Sequence, residues 1–155
     1  MKFTAREDIE APIDVVFGHV SDFATLERSA LRRGAEVQRI DDLAETGPGM
    51  MWDTAFMLRG KRREMKVELT EFDPPNGMIM LSRSANISGR MVLDLVALSR
   101  ARTRLNLDIE IEPKTLAARL MVQSLKLAQG NLNKRLRMRV AEFGRDLEER
   151  SKTVG

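Results

Sequence analysis

Five runs of alternating apolar and polar residues, separated by short turns, fill the middle of this chain and constrain most of what it can become. They are Met50–Leu58, Lys61–Phe72, Met78–Ser84, Arg90–Leu98 and Arg102–Glu112. The breaks between them are Arg59-Gly60, Pro74-Pro75-Asn76-Gly77, Ser88-Gly89 and Ser99–Ala101. Side chains alternate across a strand with period two, so each run reads as a strand, and turn-formers this closely spaced join strands into an antiparallel meander. The clearest run is RTRLNLDIEI. Its Thr103, Leu105, Leu107, Ile109 and Ile111 face one way, and Arg102, Arg104, Asn106, Asp108 and Glu110 face the other. One face is dry, and another part of the chain must cover it.

The flanks supply the cover. Phe3, Ala5, Glu7 and Ile9 alternate with Lys2, Thr4, Arg6 and Asp8, which predicts a first strand. The stretch IEAPIDVVFGHVSDF then changes period. Pro12 ends the strand and opens a helix at a position where its missing N–H costs nothing. Ile13, Val16, Phe17 and Val20 follow with the spacing of one helical face. Asp22 reads as the N-cap of a second short helix carrying Phe23 and Leu26, ended by Gly34 after Arg32 and Arg33. Ala35–Ile40 is a further short strand and Thr46–Gly49 a loop. After Pro113, Leu116, Leu120, Leu125, Leu132, Leu136, Val140, Phe143 and Leu147 form one stripe, predicting a helix from Thr115 to near Arg150. At 1.5 Å per residue it would span ~54 Å, with Gly130 as the expected bend.

Composition narrows the chemistry. The 155 residues suit a single domain, 1–155. With no cysteine, no tyrosine and one histidine, His19, the chain lacks thiolate chemistry and most acid, base and nucleophile types. No metal site and no cofactor is expected on the same grounds, and no glycine loop suits a phosphate. MKFTARED has no apolar signal core, and no stretch is long enough for a membrane span, so a cytoplasmic protein is expected. The net charge of +3 is too mild to imply nucleic acid. Between Thr115 and Ala141 there is no acidic residue, while Arg119, Lys126, Lys134, Arg135, Arg137 and Arg139 are present. That pattern reads first as a solvated helix face.

The order strand, two short helices, six strands and a long helix resembles the START/Bet v 1-like (SRPBCC) helix-grip superfamily, in particular its bacterial polyketide cyclase/dehydrase-like branch. The resemblance rests on IEAPIDVVFGHVSDF, on GPGMMW entering the third strand, on VELTEFDPPNGM across a hairpin, and on the terminal amphipathic helix. It covers nearly the whole chain and its motifs mark the fold, not catalysis. It implies an α+β helix-grip fold, in which a seven-stranded antiparallel sheet curls around the long C-terminal helix and encloses an apolar cavity.

Alternation then nominates the lining. Trp52, Thr54, Phe56 and Leu58 share one face of the third strand; Arg63, Met65, Val67 and Leu69 share one face of the fourth; Met91, Leu93, Leu95 and Ala97 share one face of the sixth. The gripping helix is expected to add Leu120, Met121 and Leu125. Ten methionines suit irregular gaps and varied ligands, and Trp52 offers a ring to stack on a ligand or to fill the core. Arg63 is a candidate anchor for a carboxylate or phosphate. Ser82 and Ser84 alternate with Met78 and Met80, whereas His19 points away from the apolar face of its helix. The leading expectation is a non-catalytic binder or carrier of a hydrophobic small molecule, such as a lipid, isoprenoid or polyketide-like compound. The resemblance also implies two alternatives. One is a cyclase or dehydratase in which Arg63, Glu7 or Asp53 act on a polyketide-like substrate. The other is a ribosome-, RNA- or protein-interaction module using the basic helix, although no aromatic residue interleaves its cations.

Overall fold

In the computed structural model, which describes residues 1–154 with side chains through Lys152, the alternating runs pair as successive hairpins. The elements are β1 (Lys2–Ile9), α1 (Ile13–Val20), α2 (Phe23–Arg32), β2 (Glu36–Arg39), β3 (Met51–Leu58), β4 (Lys61–Asp73), β5 (Gly77–Arg83), β6 (Ile87–Ser99), β7 (Arg102–Pro113), α3 (Leu116–Lys126) and α4 (Gln129–Val154). The seven strands form one antiparallel sheet in the order β1-β7-β6-β5-β4-β3-β2. The edges are therefore β2, which opens the meander, and β1, which returns to pair with β7 at its other end.

Cross-strand partners share a face, so the register traces the inner surface directly. One row joins Phe3, Ile109, Met91, Met80 and Leu69; another joins Ala5, Leu107, Leu93, Met78 and Phe72. Trp52 stands opposite Val67, Thr54 opposite Met65, and Phe56 opposite Arg63. Leu69 and Phe72 are three residues apart yet lie in adjacent inner rows, because the register shifts between Leu69 and Glu71. That bulge reverses the parity of β4 and bends the strand.

The corner after β1 is closed by local chemistry. Pro12 stands just before α1, and the Val16 N–H donates to the Pro12 carbonyl at 3.0 Å. Asp22 caps α2 by accepting from the Thr25 N–H, and Gly34, at φ +91°, takes the left-handed turn that ends it. The buried faces of these helices carry Val16, Phe17 and Phe23 into a cluster with Trp52 and Phe72. Ring centroids are 5.3 Å apart for both Phe17–Phe72 and Phe23–Trp52.

Two expectations change. The break before β6 falls at Ser84–Asn86 and not at Ser88-Gly89, since Ser84 Oγ accepts the N–H groups of Asn86 and Ile87 and so builds the turn itself. Gly89 is paired within β6. The C-terminal helix is also interrupted, at Leu127-Ala128, so Gly130 lies just inside α4 instead of at the bend. α3 lies against β7 with Ala118 and Val122 buried, while Leu116 and Leu120 face outward. The 26-residue α4 is the long helix, and it runs along β1. Asn133 Oδ1 accepts from the Thr4 N–H at 3.0 Å, Glu148 Oε1 accepts from the Glu10 N–H at 2.9 Å, and Gln129 Nε2 donates to the Lys2 carbonyl at 2.9 Å. These bonds cover an edge strand that would otherwise offer its backbone to other chains.

Candidate functional site

Between α2 and the inner face of the sheet lies an open apolar hollow of about 270 Å³. Residues 23, 26, 27 and 30 fall on one side of α2 by helical spacing, and Phe23, Leu26, Glu27 and Ala30 form that wall. Val37, Trp52, Thr54, Val67 and Met80 form the opposite wall, from four adjacent strands.

The polar groups here are already occupied. Glu27, the single acid on the apolar side of α2, accepts from the indole Nε1–H of Trp52 at 2.7 Å. Trp52 is thus fixed at both ends, by Phe23 against its ring and by Glu27 at its polar tip, and is buried. The Thr54 hydroxyl donates to the Met65 carbonyl at 2.9 Å. A guest in the hollow meets mainly carbon and sulfur, with the indole N–H and the Thr54 hydroxyl proton already donated.

One carboxylate holds the frame of this wall. Asp41, just after β2, accepts from Arg39 Nε and Nη2 at 2.9 Å each, from the Met51 N–H at 2.9 Å and from the Leu43 N–H at 3.0 Å. The Arg39 guanidinium first, then the Met51 and Leu43 amides, hold its carboxyl well below the usual carboxylate range. Arg39 pairs across the sheet with Trp52, so this clamp joins the entry of β3 to the strand that carries Val37.

Of the lining residues nominated by the sequence, Trp52, Thr54 and Val67 border the hollow. Phe56, Met65 and Met91 are half-buried on the same inner surface, and Leu93 and Leu95 are buried in the core. Met121 and Leu125 are half-buried on α3, but Leu120 is 61% exposed on the opposite side from Ala118 and Val122. Its stripe reading fails because Leu116 and Leu120 stand about 120–180° around the helix from Leu125 and Leu132. Arg63 is half-buried beside Phe56, and its Nε is buried without a partner. Sequence reasoning passed over Ala30 and Val37; the 23/26/30 spacing on α2 was the available signal. His19 is half-buried in a separate groove between α2 and α4, among Asp22, Arg139 and Asp146.

The ionisable groups nominated for catalysis do not converge. Asp53 is exposed and pairs with Lys66 and Gln38 on the outer face. The row of Glu7 passes through Leu105 and Leu95 to Asn76, just before β5 begins, whereas the row of Arg63 passes beyond its last residue, Arg83. Glu7 and Arg63 are thus separated by the length of a seven-residue strand, roughly 24 Å. A larger depression of about 570 Å³ lies against β2–β4, but Glu36, Asp53, Arg62, Glu64 and Lys66 line it, with Arg62 ion-paired to both glutamates. It has the charged walls of a solvated surface.

Residues 1–141 match the family model described as polyketide cyclase / dehydrase and lipid transport. No curated protein matches the sequence. Among solved structures, the protein TTHA0849 from Thermus thermophilus is similar over 100% of this chain and 99% of its own, with 20% identity and a TM-score of 0.65. The Zhui aromatase/cyclase from Streptomyces sp. R1128 is similar over 100% and 96%, with 14% identity and a TM-score of 0.66. A START superfamily protein from Mycobacterium smegmatis is similar over 86% and 95%, with 12% identity and a TM-score of 0.56. At such identities the structures establish the helix-grip architecture, and the match over nearly the full length establishes the rest: the chain belongs to the polyketide cyclase/dehydrase and lipid-transport family.

Proposed function

We propose that the protein binds and carries a hydrophobic small molecule of the lipid, isoprenoid or polyketide-like class, seated against the inner face of the sheet beneath α2, without transforming it. The observation that carries this reading is the apolar hollow whose neighbouring polar groups, Glu27, Trp52 and Thr54, are bonded to one another or to backbone. Its size is at the lower edge of the ~300–1,000 Å³ range of small-molecule sites. A ring or chain segment fits there, and a longer ligand continues along the half-buried Met65 and Met91 side chains. Methionine adapts its shape to such guests. The separation of Glu7, Asp53 and Arg63 speaks against a cyclase or dehydratase mechanism, which requires a positioned acid and base within reach of the same substrate.

The test is native mass spectrometry of freshly purified protein with organic extraction, alongside titration with the apolar fluorophore anilinonaphthalene sulfonate. Ala30→Trp fills the hollow from the helix side. A discrete non-covalent mass and saturable fluorophore binding are expected for the wild type, both lost in Ala30→Trp. Equal fluorophore binding by wild type and variant would remove the hollow as the site.

A further inference from the structure

We propose that α3 is a docking helix for an anionic lipid surface. Leu116, Leu120 and Leu127 are 75%, 61% and 92% exposed. At 100° per residue their positions fall within about 40° of one another, with the exposed Gln123 the one polar residue along the line. Ala118 and Val122, the residues α3 buries, lie on the other side of the helix. Single exposed leucines are ordinary, but Leu116 and Leu120 on α3 and Leu127 at its C-cap, where the backbone is still helical, make an apolar strip that the fold leaves uncovered.

The charge beside the strip names its occupant. Arg119 and Lys126 stand on one flank, roughly 60–120° from the leucines, and Lys114 precedes the helix. From Pro113 to Ala141 no residue is acidic, and none of the described ion pairs involves Lys114, Arg119 or Lys126. An apolar strip bordered by unpaired cations fits a bilayer bearing negative headgroups, into which leucines insert while the long cationic side chains reach back to the phosphates. A second copy of the chain is the poorer occupant, because it would bring two sets of these cations together. An RNA is poorer still, since it gains nothing from exposed leucines and finds no aromatic ring to stack on between Thr115 and Ala141. Among the described residues no helix is long and apolar enough to cross a membrane, so α3 would lie in the interface plane. This inference does not depend on the hollow being a ligand site.

Co-sedimentation with vesicles tests it, using phosphatidylcholine alone and phosphatidylcholine with one part in three of phosphatidylglycerol. The wild type is expected to pellet with the anionic vesicles only, and less so at high salt. Leu120→Ser/Leu127→Ser and Arg119→Gln/Lys126→Gln should each weaken that partitioning by about tenfold. Because these side chains are exposed, both variants should keep the wild-type melting temperature. Failure of the wild type to pellet, or equal pelleting by the variants, overturns the proposal. So does a lipid-free dimer that Leu120→Ser/Leu127→Ser converts to monomer, which would assign the strip to a second copy.

Discussion

Thr103→Val removes a single hydroxyl from the centre of this fold and should destabilise it measurably. Thr103 is fully buried, and its Oγ1 donates to the Ala11 carbonyl at 2.8 Å, a contact between residues 92 apart in sequence. Ala11 is itself 1% exposed, so water does not replace the lost donor. Leaving a buried carbonyl unpaired costs about 1–3 kcal/mol, while the extra methyl of valine offsets at most about 0.8 kcal/mol through apolar burial. The net loss is about 1–2 kcal/mol. An unfolding entropy near 2.1 cal/mol/K per residue gives about 0.33 kcal/mol/K for a chain of this length, so the melting temperature should fall by about 3–6 °C. Urea and thermal unfolding read this directly, with an unchanged denaturant slope expected. Thr103→Ser keeps the hydroxyl and loses only a methyl, so it separates the hydrogen bond from packing. The bond ties β7 to the corner where β1 hands over to α1, so the Val16 amide in the first turn of α1 should exchange faster in the valine variant. A valine variant as stable as wild type, with Val16 protection intact, would refute the view that this bond secures the corner.

Gly77→Ala should destabilise by about 1–3 kcal/mol in urea unfolding, because a Cβ there would stand 2.3 Å from the Leu93 carbonyl oxygen of the neighbouring strand. Gly89→Ala, whose nearest contact would be 3.6 Å, is the matched control and should be tolerated. Acid should also weaken the fold through identifiable groups. Asp41 is held low by Arg39, Asp8 by Arg104, and Asp22 by Thr25, each first through a side-chain hydrogen bond. Carboxylates with depressed folded values stabilise above their unfolded value of about 4 and lose that contribution as the pH falls toward the folded one. Urea midpoints should therefore drop below about pH 5, and Asp41→Asn should lower the neutral-pH midpoint while flattening the acid limb.

The sheet was legible in the sequence because alternation and register reinforce each other. RTRLNLDIEI admits one buried face, and once its partner rows are added, a one-residue slip in any strand would expose an entire apolar set. Asp22 and Gly34 were legible as caps because each meets a local need, an unpaired amide in one case and a left-handed turn in the other. The turn at Ser84–Asn86 was not legible. Glycine at 89 advertised a break, whereas the side chain of Ser84 built one through bonds that composition does not reveal. The bulge beside Thr70 was hidden for a related reason: the pattern of β4 reads equally well as one continuous alternation until Leu69 and Phe72 must both face inward.

The helices show where periodicity stops being informative about function. Leucines at 116, 120, 125 and 132 read together as one stripe, but at 100° per residue the first two stand about 120–180° from the last two, and only one of those sides can be the buried face. A helix buries whichever face its attachment presents, however, and α3 is attached through Ala118 and Val122. Small residues allow the close approach to β7, and the leucines are turned outward as a consequence. The same inversion operates on α2, where Glu27 interrupts an apolar side that sequence alone would call imperfect. The structure gives that carboxylate the indole of Trp52 as its partner, so an apparent polar fault completes an apolar wall. In both helices the informative residues are the ones that violate the simple pattern. Glu27 is resolved only by knowing which neighbour its helix meets, long-range information that local spacing does not hold, whereas the outward leucines are already set apart by the helical period.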